Sequence, residues 1–136
     1  MKILRNILAI IGGWIIGSAV NMAIIELGPH IISTPEGFDN STMETLAATI
    51  HLLEPSNYIS VFLAHGLGTL VGAFAAAKIA ASHKMIFAMV IGGFFLLGGI
   101  TMIFVVPAPS WYTAVDLIGA YIPMAWIGWK LAGGNK

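Results

Sequence analysis

The sequence predicts an all-α membrane protein of four transmembrane helices, and three observations point to it. Of 136 residues, 58% are apolar and only 9% charged, with a mean hydropathy of +0.92, whereas soluble domains carry roughly a quarter charged residues. The apolar residues form runs long enough for a bilayer core of about 30 Å, which takes about 20 helical residues. The few basic residues sit only at the ends of those runs. With a net charge of zero, nothing favours nucleic acid as a partner. Cysteine is absent, which excludes disulfides and thiolate metal sites.

Charge and proline set each span. Twenty uncharged residues separate Arg5 from Glu26, so the first span is read at about 6–27. An apolar stretch behind Lys2 and Arg5 also has the form of a secretory leader; it is expected to be retained as a span. The second run, about 57–78, follows Pro55 and ends at Lys78. The third, about 85–106, stops at Pro107 and Pro109, because proline lacks the N–H and clashes with the preceding turn. The fourth, about 110–131, carries Asp116, with thirteen uncharged residues between it and Lys130; it still reads as a span, because a lysine near a helix end reaches the headgroups.

Lys2, Arg5, Lys78, Lys84, Lys130 and Lys136 all fall at the two termini or between spans two and three. By the positive-inside rule both termini are then cytoplasmic, and the loop 28–56 is outside. That loop holds Glu36, Asp39, Glu44 and Glu54 and no lysine or arginine. Trp111 and Tyr112 at one end of span four, and Trp126 and Trp129 at the other, suit interfacial aromatic belts. Within the loop, Ser41-Thr42-Met43-Glu44 reads as a capping box. It opens a short amphipathic interfacial helix at about 42–54, with Met43, Leu46, Ala47, Ile50 and Leu53 on one face and Pro55 at its end. This helix is expected to act as a lid on the membrane surface or over the bundle.

Residues 12–25 set over 92–105 match Gly12 with Gly92, Gly13 with Gly93 and Met22 with Met102. Span two set over span four brings His65, Gly68 and Gly72 onto Asp116, Gly119 and Pro123. Two spans per unit would make a 2+2 parallel internal repeat. Gly13, Gly17 and Asn21 on span one, and Gly68, Gly72 and Ala76 on span two, recur every four residues as small-residue packing stripes. Gly92 and Gly99 do the same on span three. The partner of these faces is another helix of the chain or a second copy; four short spans leave little room for an internal cavity, so a homo-oligomer is expected.

Any chemistry belongs to polar residues at membrane depth, where an ionisable group costs about 2.5–3.5 kcal/mol on insertion scales. Asn21, Glu26, His65 and Asp116 fall in the outer half and can form one polar, ligand-binding cluster. Histidine beside a carboxylate can exchange protons or hold a cation. Each residue also has a plainer reading. Thr113-Ala114-Val115-Asp116 is itself a capping-box pattern, which would put Asp116 in the first turn of span four. Glu26, close to Gly28-Pro29, fits the interface, and a neutral His65 can be satisfied by a carbonyl or by Asn21. His51 and Glu54, three apart on one helical face, are weak metal-ligand candidates without a second such pair. No nucleophile motif, phosphate loop or dinucleotide fingerprint is present, and no cofactor is implied.

The stretches Leu63-Ala64-His65-Gly66-Leu67-Gly68-Thr69-Leu70-Val71-Gly72 and Asp116-Leu117-Ile118-Gly119-Ala120-Tyr121-Ile122-Pro123-Met124-Ala125 resemble those of small bacterial four-span membrane proteins. The resemblance covers the whole chain and implies a multi-pass protein of the inner membrane, without supplying an activity. Three functions stay open: a carrier or pocket protein for a small solute or lipid, a non-catalytic scaffold or accessory subunit, and a metal-dependent membrane enzyme. The first uses most of the sequence, namely the repeat, the polar cluster and the lid.

Overall fold

The computed structural model describes residues 1–134; Lys136, counted above among the cytoplasmic basic residues, lies outside that range. The chain is all-helical, with no strand among the described residues. Its helices are α1 (Lys2–Ile31), α2 (Met43–Thr49) with a following 3-10 turn (Ile50–Leu52), α3 (Asn57–Ile79), α4 (Lys84–Val105), α5 (Ser110–Gly119) and α6 (Ile122–Leu131). Three of them, α1, α3 and α4, are long and apolar enough to cross a membrane.

The segment read as a fourth span is two ten-residue helices rather than one. Pro123 is the cause. It sits in the first turn of α6, where its missing N–H cannot bond the Gly119 carbonyl and its ring would crowd that carbonyl in a continuous helix. The chain therefore breaks at Ala120 and Tyr121. α1 runs past the predicted end at 27 and carries Pro29 in its last turn.

The glycine stripes find their partners inside the chain. α1 and α3 cross antiparallel: a Cβ on Gly13 would sit 2.7 Å from the Gly72 carbonyl, and one on Gly17 would sit 2.7 Å from the Gly68 carbonyl. Backbone meets backbone along this seam. Gly92 packs on Ala125 and Gly99 on the Tyr121 ring, so the glycine face of α4 lies against α6 and the break before it. Gly93, matched to the packed Gly13 in the repeat alignment, has nothing within 4 Å of its Cβ position. The two halves thus use their glycines differently.

All the described lysines and arginines lie at one end of the bundle, where Arg5 donates to the Ile79 carbonyl and Asn6 bonds Ser82 and the Ala81 N–H. Lys130 lies over the Trp126 and Trp129 rings there. The opposite end carries the lid. Thr42, not Ser41, caps α2: its hydroxyl accepts from the Thr45 N–H while the Thr45 hydroxyl accepts from the Thr42 N–H. The Asp39 side chain takes the Ser41 N–H at 2.8 Å, which moves the cap one residue on. These bonds from Ser41 also hold the Asp39 carboxyl below its ordinary pKa. Leu46, Ile50 and Leu53 face the bundle, against Tyr58, Val106 and Tyr112. The lid therefore lies over the helix ends, and buried Asn57 fastens both its limbs by donating to the Ser33 carbonyl and accepting from the Glu54 N–H.

Candidate functional site

α3 and α5 run parallel from the lid end, so residues equally deep on each can meet. Tyr58, Val61 and His65 lie at i, i+3 and i+7, one face of α3, while Tyr112 and Asp116 lie at i and i+4 on α5. The Tyr58 and Tyr112 rings are 4.5 Å apart nearest the lid. Two turns deeper, His65 Nδ1 is 2.8 Å from Asp116 Oδ1. Tyr112 donates to the same oxygen at 3.3 Å, and Tyr121 donates to Oδ2 at 2.8 Å. The Tyr121 ring stacks on the imidazole at an interplanar angle of 26°.

Two hydroxyls and one imidazole converge on one carboxylate with 7% side-chain exposure. An aspartate accepting on both oxygens leaves Nδ1 as the donor of its pair with His65, so the imidazole presents Nε2 as its free nitrogen. His65 is 23% exposed, and that exposure matters because the residue lines a cavity of about 180 Å³ under the lid. Ile25, Gly28 and Pro29 of α1 form one wall, and Gly99, Met102 and Ile103 of α4 another. The lid closes it with Phe38, Leu46, Ile50 and Leu53. The lining is apolar apart from a few groups, with His65, Asp116 and Tyr112 together at its deep end. A cavity within one chain removes the reason given above for expecting a homo-oligomer.

No protein family, curated protein or solved structure matches this chain. The site has to be read from its own geometry.

Of the four residues grouped from sequence, His65 and Asp116 meet and the other two stand apart. Asn21 continues the packing stripe, beside the Cβ position of Gly68, and bonds neither His65 nor Asp116. Glu26 is exposed on α1 and does not line the cavity. The capping reading of Asp116 fails, since α5 begins at Ser110 and places Asp116 two turns in. His51 and Glu54 are exposed on the lid, and among the described residues no cluster of three or more His, Asp or Glu is arranged to hold a metal.

Sequence reasoning missed the tyrosines. Tyr112 was assigned to an interfacial belt with Trp111, yet it is 7% exposed and turned inward, while Trp111 is the exposed member of the pair. Its i, i+4 spacing from Asp116 was the available signal. Tyr121 offered none: five residues on from Asp116, it would lie about 140° round an unbroken helix. The break before Pro123 swings it back.

Proposed function

We propose that this chain is a four-span membrane protein that binds a small apolar or amphipathic molecule in the cavity under its lid, with the His65–Asp116 pair as the polar contact. The observation that carries the reading is the cavity itself, apolar along its walls and ending on an imidazole oriented by a buried carboxylate. Ionisable groups at membrane depth persist where they pair or serve a function; here they pair and also face a space. A scaffold needs only packing faces, and the glycine stripes are taken up by α1, α3, α4 and α6 within the chain. The walls of the cavity come from one chain, so this reading requires no second copy.

Protein released from the membrane should retain a small molecule by native mass spectrometry and should take up dodecanoic acid or decylbenzene saturably in nanodiscs. Ile103→Trp, which puts an indole into the α4 wall, should lower that uptake about tenfold. Protein that is released bare and takes up neither probe would sink the pocket reading.

In this proposal α5 and α6 together make the fourth crossing, and the basic end of the bundle is cytoplasmic. Cysteine at Asp39 should react with a membrane-impermeant maleimide in intact cells, and a reporter fused at Lys136 should read as cytoplasmic. Labelling only after lysis would reverse the orientation. A 2+2 repeat gains support from the contact of His65 with Asp116, because matched positions on parallel helices meet at a twofold axis along the bundle. The open surroundings of Gly93 weigh against it.

A further inference from the structure

The Tyr58 side chain is 3% exposed, and its hydroxyl is a buried polar atom with no hydrogen-bond partner. Such a group costs about 1–3 kcal/mol if it stays unsatisfied, and Tyr58 lines the same cavity as His65. Resting on the pocket reading above, we propose that the ligand is an uncharged, membrane-soluble carbonyl compound whose oxygen accepts from the Tyr58 hydroxyl.

Spacing sets Tyr58 apart from the His65–Asp116 pair. Tyr58 and His65 lie two turns apart on one face of α3, about 10.5 Å along the axis, and both side chains lean on Tyr112. The Tyr58 ring lies against the Tyr112 ring at 4.5 Å, while the Tyr112 hydroxyl is 3.5 Å from His65 Nδ1. Tyr58 therefore stands two turns nearer the lid than the His65–Asp116 pair.

Charge argues the same way. Among the described residues no lysine or arginine lines the cavity, and Asp116 is the ionisable acid at its deep end, so a carboxylate or phosphate headgroup would meet repulsion without a compensating cation. A cationic headgroup would find both Asp116 oxygens already occupied by Tyr112, Tyr121 and His65. A neutral acceptor suits the hydroxyl of Tyr58, which has a hydrogen to donate and no partner. Access from lipid is built in. α1 and α4 touch through Gly13 and Gly17 with Ile91 and Phe95, and nearer the lid both instead line the cavity, with Met102 and Ile103 still 37% and 42% exposed.

The test compares decylubiquinone, decylbenzene and dodecanoic acid on the full-length protein in nanodiscs, following saturable quenching of tryptophan fluorescence for the quinone and equilibrium partitioning for all three. Wild type should bind decylubiquinone at least tenfold more tightly than either other probe. Tyr58→Phe should lower that affinity about five- to tenfold and leave decylbenzene binding unchanged. Without ligand this variant should melt no lower than wild type, because it loses no bond. Equal affinity for decylubiquinone and decylbenzene, or a Tyr58→Phe variant that binds the quinone like wild type, would overturn the carbonyl reading and leave the pocket standing. Preference for dodecanoic acid would do the same. Failure of all three probes would remove the pocket reading itself.

Discussion

Gly72→Leu is expected to cost about 3 kcal/mol or more of unfolding free energy, the upper end of what overpacking does in a well-packed interior. A Cβ at Gly72 would stand 2.6 Å from the Gly13 carbonyl oxygen and 3.1 Å from Gly17 Cα. Both neighbours are backbone, so relief requires moving α1 as a body, and that movement opens the whole α1–α3 seam. Gly98→Leu is the control: it places the same side chain on α4 where a Cβ meets nothing within 4 Å. It should be neutral or stabilising, because leucine has a better helix propensity than glycine by roughly 0.5–1 kcal/mol. Unfolding titrations in mixed micelles read both. A Gly72→Leu protein as stable as the Gly98→Leu control would mean that α1 does not pack as closely on α3 as the carbonyl contacts require.

What the sequence made legible follows the length scale of each signal. Long apolar runs between charges located α1, α3 and α4 to within a few residues, because bilayer thickness acts on twenty residues at once. The lid was legible from local patterning, yet its cap moved from Ser41 to Thr42, since capping turns on which of two adjacent hydroxyls wins one N–H and Asp39 had taken the Ser41 amide. Glycine spacing predicted close contacts without naming the partner: Gly13 facing Gly72, or Gly99 facing Tyr121, is a tertiary fact with no local trace. The site was half legible. His65 and Asp116 stand out because ionisable residues are rare in apolar helices, whereas Tyr112 next to Trp111 reads first as an interfacial residue. Tyr121 needed the backbone break at Pro123 before it could reach Asp116. Asn57, which ties Ser33 and Glu54 together, reaches 24 positions back to Ser33 and left no pattern to read.

The second large effect is expected at Asp116. Replacing it by leucine removes the acceptor for the His65 imidazole and the Tyr112 and Tyr121 hydroxyls at once. Breaking a buried polar pair by deleting one partner costs about 3–5 kcal/mol, because the remaining groups stay desolvated without partners. The double variant His65→Leu with Asp116→Leu should recover part of that loss, since it takes away the group left most exposed to the deficit and fills the space with hydrocarbon. A coupling energy of about 1–3 kcal/mol from the double-mutant cycle is the expected result. Thr113→Ala should change stability by less than about 0.5 kcal/mol, the range of substitutions that break no specific interaction, because α5 starts at Ser110 and Thr113 caps nothing. The opposite ranking would restore the capping role for the Thr113–Asp116 pair: Thr113→Ala costing about 1 kcal/mol, as loss of an N-cap does, with Asp116→Leu nearly silent and no coupling to His65. The cycle therefore decides between a carboxylate that anchors the floor of the cavity and one that merely favours the start of a helix.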